Sequence, residues 1–292
     1  MPSERELRRR VRSVKNIQQV TQAMQLVAAS RMRRAQAAVL ASRPYEDRLR
    51  TVLHELAPFA DPEVSPLLAQ REVRRVGVVA ITSDRGLVGA LNVNVIRMAL
   101  RFAQRHEGAS FIAVGRKAVS AIRRLRLPLL AEFSGLGDRP TTVETGPISR
   151  IARDEFVGGG IDEVHLVFPR FVNTLRQVPT TLRILPFRIE PDTAGGPRGA
   201  EPPGRLQYLF EPDPETVLNV VLPRLIEVSV YQAVLEAKAS EQSARMVAMR
   251  NATDAAADLI DEITLAANKA RQTRITKEML EIASGAEALS KG

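Results

Sequence analysis

A stretch of 61 residues, Arg224–Ser284, contains neither glycine nor proline. Since these two residues disfavour helix interiors most strongly, the stretch predicts one unbroken helix. At 1.5 Å per residue such a helix would be about 90 Å long. A chain of 292 residues cannot cover a rod of this length with one globular domain. The sequence therefore predicts that a partner covers part of this helix.

A second long helix is predicted at the N-terminus, because Ser3–Arg43 also lacks glycine and proline. Ser3 and Glu6 fit a capping box at its start. Apolar residues recur at an average spacing near 3.6, which indicates an amphipathic helix that continues past Pro44 to Leu56. The predicted apolar stripe consists of Leu7, Val11, Val14, Ile17, Val20, Met24, Val27, Met32, Ala35 and Val39.

Short apolar runs alternate with helical segments between the two long helices. Val76–Thr82 is the first predicted strand, and a helix is predicted to follow it at Asn92–His106. This alternation is typical of an α/β sheet with a Rossmann-like layout. The other predicted strands are Ser110–Val114, Leu127–Phe133, Val164–Phe168, Thr180–Phe187 and Gln207–Phe210, and the other helices lie near Lys117–Arg126 and Ile148–Val157.

The predicted fold class is α/β plus a long helical coiled coil, with the Rossmann-like domain inserted between the two terminal helices. Three parts are expected: a coiled-coil helix over 1–57, an α/β domain over 70–211, and a coiled-coil helix over 213–292 that Pro223 kinks or restarts. Because an inserted domain brings its ends together, the helices should leave it antiparallel.

The C-terminal helix is longer than its N-terminal partner, by about 20 residues or 30 Å. Its predicted overhang contains the apolar residues Ile275, Met279, Leu280 and Ile282, for which this chain offers no packing partner. The overhang therefore predicts a surrounding sleeve formed by another protein.

Composition excludes several kinds of site. The chain has no cysteine and three well-separated histidines, which argues against a metal centre. It has no run of 18 apolar residues, so no membrane span is predicted. The net charge of +9 is concentrated near the N-terminus. Since residues 1–43 contain no aromatic side chain for base stacking, an acidic protein surface is a better partner for this basic arm than nucleic acid.

No catalytic, cofactor or metal site is predicted. Ser83–Gly89 connects a strand to a helix, but it has neither common phosphate-binding fingerprint. Asp258, Asp261 and Glu262 fit a solvated helix face. Two alternative functions stay open at this point. One is a nucleotide-using enzyme built on the α/β domain, and the other is a basic coiled-coil scaffold for nucleic acid.

Five motifs, in the same order along the chain, resemble the γ subunit of F-type ATP synthases. They cover both terminal helices and the domain between them. The motifs are RRRVRSVKNIQQVTQAMQLVAASRMRRAQ (Arg8–Gln36), TSDRGLVGALN (Thr82–Asn92), YLFEPDPE (Tyr208–Glu215), ASEQSARMVAMRNATDAA (Ala239–Ala256) and NKARQTRITKEMLEIASGAEAL (Asn268–Leu289).

The resemblance implies a non-catalytic central rotor shaft without a cofactor. In that family the terminal helices form an antiparallel coiled coil inside a hexamer of α and β subunits, and the inserted domain meets the ε subunit and the c ring. Proton flow turns the ring and the shaft, and ATP is made on the β subunits. The implied location is the cytoplasmic side of the cell inner membrane, as a peripheral protein held there only through the complex.

The resemblance also assigns partner contacts to particular residues. Two contacts belong to the foot that touches the c ring and the ε subunit, Tyr208 and Glu211. Plain coiled-coil packing is the alternative role for Met24. The contacts assigned to the catch and lever segments of the β subunit are Arg271, Gln272, Thr276, Glu278, Met24 and Arg245.

Overall fold

The computed structural model describes residues 3–56, 65–187, 211 and 213–290. The chain divides into two compact units, which are described separately. One unit comprises Met1–Ala28 and Arg245–Gly292, and the other comprises Ala29–Ala244. The predicted strand Gln207–Phe210 lies outside the described residues, and the division into 1–57, 70–211 and 213–292 stays a prediction.

Within the described residues, five α-helices and five strands form an α/β sheet domain with two long terminal helices. The strands lie in the order β3-β2-β1-β4-β5, in which β1 to β4 are parallel and β5 runs antiparallel beside β4. The strands are β1 (Arg75–Ile81), β2 (Gly108–Val114), β3 (Leu129–Phe133), β4 (Glu163–Phe171) and β5 (Gln177–Leu185). The helices are α1 (Glu4–Leu56), α2 (Leu91–Ala103), α3 (Arg116–Arg124), α4 (Thr142–Val157) and α5 (Pro214–Ser290), with a 3-10 turn at Pro66–Leu68.

The predicted fold class is confirmed, and the differences lie at proline residues. α1 continues through Pro44 as expected, but α5 also continues through Pro223, where the sequence predicts a kink or restart. Leu222 and Leu225 beside this proline are fully buried, and their packing helps to hold the helix together. α4 begins earlier than expected and includes Pro147.

Alternating side chains of the central strand face two different cores. Val76 and Val78 of β1 pack with α2 and α3 on one face of the sheet. Val79 and Ile81 belong to the core of the other face, together with α4 and parts of α1 and α5. The sheet is therefore covered on both faces, as expected for parallel strands.

The part of α5 within the sheet unit is hydrogen-bonded to strand β4 and to two loops that follow strands of the sheet. Its side chains donate these hydrogen bonds to backbone carbonyls. These bonds run from Lys238 Nζ to Leu136 (2.8 Å), from Ser240 Oγ to Pro169 (2.8 Å) and from Ser243 Oγ to Thr174 (2.6 Å). Hydrogen bonds depend on direction, whereas apolar packing does not. These bonds therefore keep this segment of α5 from rotating about its axis against the sheet.

Among the described helices, α5 is long and apolar enough to cross a membrane when judged by length and composition alone. The sequence expectation of no span rested on runs of apolar residues, which is a stricter test. In its most apolar window, 56% of the helix is buried inside the protein. This burial is the behaviour of a core helix, whose apolar side chains already pack against the sheet.

A buried histidine on β4 makes the stability of the sheet unit depend on pH. His165 Nε2 lies 2.7 Å from Glu163 Oε2, and its ring lies 4.4 Å from that of Phe102. Burial lowers the pKa of His165, and the hydrogen bond to Glu163 offsets only part of this effect. The imidazole is therefore held in its neutral form more firmly than in the unfolded chain.

We expect the His165→Gln variant to lose part of the acid sensitivity of unfolding. The unfolded chain takes up the histidine proton near pH 6.5, before the folded protein does. The contribution of the neutral ring to the free energy of unfolding is therefore fully present above about pH 6.5. It is lost as the pH falls through the lower pKa that His165 has in the folded protein. Urea midpoints measured between pH 5 and 7.5 should vary less in the variant. Identical pH profiles for the two proteins would contradict this explanation.

Candidate functional site

The unit formed by Met1–Ala28 and Arg245–Gly292 contains two antiparallel helical segments. Thr21 Oγ1 lies 2.7 Å from Thr253 Oγ1. Near the other end of the pair, Arg274 lies 3.1 Å from Glu4. Since an early residue of α1 meets a late residue of α5, the two segments run in opposite directions.

The buried residues of both segments follow steps of three and four, which is the heptad pattern of a coiled coil. A sustained 3.5-residue period gives a left-handed supercoil. Several seam side chains are alanines, which lets the two backbones approach closely. The seam consists of Leu7, Val11, Val14, Gln18, Thr21, Gln25 and Ala28 on α1, and of Met249, Thr253, Ala256, Ile260, Ile263, Ala267 and Ala270 on α5.

The predicted apolar stripe of α1 is wrong in its middle part. Ile17, Val20 and Val27 are each more than half exposed, while the neighbouring positions of the heptad are buried or half-buried. The sequence prediction selected these apolar residues, each of which directly precedes a seam residue on α1. The true seam accepts polar residues here because Thr21 is hydrogen-bonded across it to Thr253.

These displaced apolar residues form an outer stripe on α1. Ile17, Val20, Met24 and Val27 are spaced by three and four residues, so they share one helix face. Met24 is half-buried, and the other three are exposed. Met24 therefore lies one position away from the seam, at its border with an exposed apolar surface.

The end of α5 has no counterpart on α1. Helix α1 begins at Glu4, which pairs with Arg274, whereas α5 continues to Ser290, about 24 Å further on. All residues from 271 to 286 are exposed. A stripe on one face of this end is spaced by alternating steps of three and four. We call it the tip stripe: Leu265, Asn268, Gln272, Ile275, Met279 and Ile282.

The apolar members of the tip stripe are strongly exposed. Leu265 is 75% exposed, Met279 is 65% exposed and Ile282 is 73% exposed. A stripe of large apolar side chains that the chain itself leaves in solvent is typical of a protein-binding surface. The stripe also includes two amides, Asn268 and Gln272, which can give such a surface directional hydrogen bonds.

Four of the sequence-predicted residues lie together on this end of α5. Arg271 and Gln272 are exposed, and Thr276 Oγ1 donates a hydrogen bond to the Gln272 carbonyl (3.0 Å). Glu278 lies 3.7 Å from Arg274, which also pairs with Glu4. These contacts leave the Gln272 side chain facing solvent.

The remaining predicted residues lie elsewhere. Met24 and Arg245 lie more than 20 residues from Arg271 along the helical pair, and Arg245 is buried. Glu211 is exposed in a bend just before α5, and Tyr208 lies outside the described residues. Sequence reasoning missed the Thr21–Thr253 pair and the outer stripe of α1, which a strict heptad alignment of both helices would have found.

Asp84 lies at the carboxyl edge of the sheet, where nucleotides bind in many α/β proteins. It accepts hydrogen bonds from the backbone N–H groups of Arg116 and Gly135, both at 3.0 Å. Its carboxylate thus occupies the anion position at the start of α3. The cavity that Asp84 lines together with Lys238 of α5 has a volume of about 10 Å³, enough for one water molecule at most.

The chain is similar in sequence to known proteins over nearly its whole length. The family model described as ATP synthase matches residues 3–289. The ATP synthase gamma chain of Moorella thermoacetica is 45% identical over 286 residues, covering 98% of each chain. The chain belongs to the ATP synthase gamma chain family. The gamma chain of Roseiflexus sp. is 48% identical over 298 residues and is covered completely, as is this chain.

Solved structures of ATP synthase central stalks have the same fold as this gamma chain. A chain from the Euglena gracilis mitochondrial ATP synthase matches with a TM-score of 0.66 at 21% identity, covering 98% of this chain and 94% of that one. A chain from the central stalk and c ring of the Tetrahymena thermophila enzyme matches with a TM-score of 0.61 at 24% identity, covering 80% and 99%. At these identities the similarity concerns the fold.

Proposed function

We propose that this gamma chain is the central rotor of a proton-translocating F-type ATP synthase. In this role it couples rotation of the c ring to conformational changes of the catalytic β subunits. The observation that carries the proposal is the end of α5, where a long helix leaves an apolar stripe exposed beyond its coiled-coil partner. Such an end requires a sleeve, and a hexamer of α and β subunits provides one.

The coupling follows from the asymmetry of the shaft. One side of the tip carries Leu265, Met279 and Ile282, whereas Lys277 and Glu281 pair on another side (3.7 Å). The free energy of contact with the shaft therefore differs between a β subunit that faces the apolar side and a β subunit that faces the charged side. Turning the shaft therefore shifts the population of β conformations from one subunit to the next.

Rotation also requires a rigid link between the sheet domain and α5. The hydrogen bonds from Lys238, Ser240 and Ser243 to the sheet and its loops provide such a link. We propose that the sheet domain receives torque from the c ring and the ε subunit, with Tyr208 and Glu211 in the contacting foot. Helix α5 then transmits this torque along its own axis.

The chain is proposed to be non-catalytic, with ATP formed from ADP and phosphate on the β subunits. The position of Asp84 supports this role, because its carboxylate occupies the anion position at the start of α3 and the cavity beside it is too small for a nucleotide. The same observation disfavours the alternative of a nucleotide-using enzyme. We place the chain on the cytoplasmic side of the cell inner membrane, held there through the complex.

Within this proposal, the exposed end of α5 holds the catch for a β-subunit loop. Gln272 offers an amide at the border of the apolar tip stripe, and Arg271 offers an exposed guanidinium beside it. Thr276 and Glu278 lie on the following turn. Met24 and Arg245 are assigned to the lever contact, and the position of Met24 next to the exposed Val20 and Val27 supports contact with a partner.

Co-purification tests the proposal directly. The tagged full-length chain, expressed in its own cell, should bring down α, β and ε subunits together with an ATPase activity that the isolated chain lacks. Saturable nucleotide binding by the isolated chain, with no associated hexamer, would favour the enzyme alternative. Binding to DNA with a steep salt dependence, again without a hexamer, would favour the nucleic-acid scaffold.

Replacing Gln272 with leucine should lower coupled ATP turnover of the assembled enzyme about tenfold. The substitution removes the amide hydrogen bonds but keeps the size of the side chain. A buried partner left unpaired costs about 1–3 kcal/mol. Because Gln272 is exposed in the chain itself, the melting temperature of the isolated protein should stay the same.

The neighbouring exposed residue Thr273 provides a control for this substitution. Its hydroxyl bonds only to the Lys269 carbonyl of its own helix, at 3.0 Å, and it lies off the tip stripe. The Thr273→Val variant should keep most of its turnover. Equal turnover in the wild type and the Gln272→Leu variant would remove Gln272 from the catch.

A further inference from the structure

A basic groove lies between α2 and β5 on the outer side of the sheet unit. Its volume is about 360 Å³. Met98 and Phe102 contribute apolar surface to it, and Pro179 and Thr181 of β5 form the opposite wall. The proposed rotor function uses none of these residues.

Three arginines form a row along this groove. Arg97 and Arg101 lie one turn apart on the same face of α2, about 6 Å from each other, and Arg105 lies in the turn that follows the helix. All three are exposed, and none of them has an ion-pair partner among the residues that the structure describes. The row is therefore a concentration of positive charge along the groove.

The residues that line the groove include no acidic side chain. Helix α2 contains no acidic residue. On β5, Arg183 shares the face of Thr181 and is itself paired with Glu163 at 3.4 Å. Glu163 is additionally engaged by His165 (2.7 Å), so its carboxylate is already shared between two neighbours. An incoming anion would therefore meet three available guanidinium groups.

The arrangement of the arginines indicates the shape of the ligand. A small anion such as a phosphate group is bound by donors that converge on one point. Here the donors lie in a row, at the repeat distance of a helix, beside an apolar strip. A partner helix with carboxylates at i, i+4 and i+8 next to an apolar stripe would match both the charge and the spacing.

We infer that the groove between α2 and β5 is a docking site for an acidic amphipathic helix of a partner protein. Its carboxylates pair with Arg97, Arg101 and Arg105, and its apolar residues cover Met98 and Phe102. The contact would place a regulatory or assembly partner on the sheet domain. Docking at this groove does not depend on whether the tip of α5 lies inside a hexamer.

A designed peptide tests this inference on the full-length chain. The probe is a fluorescein-labelled helical peptide of about 18 residues, with glutamates at i, i+4 and i+8 beside a leucine stripe. Its binding is followed by fluorescence anisotropy at 50 and 200 mM salt. The variant R97Q/R101Q/R105Q should weaken binding at least tenfold, because three charge pairs at a partly desolvated surface are lost.

Matched controls separate docking from general charge attraction. The variant R33Q/R34Q/R48Q removes the same charge from exposed positions of α1 in the same unit and should change the affinity less than twofold. A peptide whose glutamates lie opposite the leucines should bind at least tenfold more weakly. Circular dichroism of both variants should match that of the wild type, so that a loss of binding reports the groove.

Several results would overturn the inference. They include unchanged binding in the groove variant, equal losses in the groove and control variants, and equal affinity for the two glutamate peptides. Displacement of the peptide by stoichiometric tripolyphosphate would indicate a small-anion site. Binding of the chain to phosphatidylserine vesicles that is lost only in the groove variant, without peptide binding, would indicate a lipid surface.

Discussion

Replacing Gly115 with alanine is expected to lower the free energy of unfolding by about 3 kcal/mol or more. Gly115 connects β2 to α3 with a φ of +91°, a conformation that favours glycine. A Cβ atom there would lie only 2.2 Å from the carbonyl oxygen of Thr82. This oxygen belongs to the backbone, so no flexible side chain can move away. Urea unfolding of the full-length chain, followed by circular dichroism, measures the loss.

Gly135 provides the matched control for this substitution. It also has a positive φ, +78°, but a Cβ atom there would meet nothing within 4 Å. The Gly135→Ala variant should therefore show only the conformational cost, about 1 kcal/mol. Similar losses at both positions would mean that the close approach to Thr82 relaxes easily. Both glycines lie near Asp84, so the comparison also tests how firmly the backbone around its carboxylate is held.

Most of the fold could be predicted because its elements bury their apolar side chains in simple patterns. The β-branched run of β1 is buried on both faces, and this produces the continuous apolar signal that marked it as a strand. The long helices were equally clear, because Arg224–Ser284 contains no helix breaker. In such segments local preference and tertiary packing agree.

Two features of the sheet domain are set by local signals that the sequence prediction did not use. The start of α4 is set by a capping box, in which the Thr141 side chain accepts from the N–H of Glu144 (3.3 Å) and the Glu144 carboxylate accepts from the N–H of Thr141 (2.7 Å). The sequence prediction instead began after Pro147. The antiparallel direction of β5 is set by the short turn after Phe171, which is too short for a crossover to a parallel strand.

The candidate site could be predicted only in part from the sequence. The overhang of α5 followed from the relative lengths of the two helices, which the sequence contains. The seam could not be predicted in this way. Its positions Gln18, Thr21 and Gln25 are buried or half-buried, yet they are less apolar than the residues directly before them on α1. The Thr21 hydroxyl is satisfied inside the seam by the Gln18 carbonyl of its own helix and by Thr253, which is distant in sequence. The polar seam leaves Val20 and Val27 on the outer surface, where a partner can use them.

Replacing Ile275, Met279 and Ile282 with serine is expected to reduce coupled ATP turnover of the assembled enzyme by tenfold or more. All three side chains are exposed in the chain and belong to the tip stripe. Full burial of one such side chain against a partner contributes about 1.5–3 kcal/mol, and a loss of 1.4 kcal/mol already corresponds to a factor of ten. Turnover is measured in reconstituted vesicles under a proton gradient, beside the melting temperature of the isolated chain.

The isolated chain should melt close to the wild-type temperature, because these exposed side chains contribute little buried area to its own fold. The variant K277S/E281S removes an exposed ion pair from another face of the same helical end and should keep most of the turnover, since such pairs contribute little. Equal losses in both variants would mean that the helix end acts only through its length or helicity. A lower melting temperature of the serine variant alone would mean that the tip stripe packs within the chain, and the need for a sleeve would disappear. Loss of turnover confined to the serine variant, at unchanged stability, leaves contact between the apolar side of the shaft and its partner as the cause.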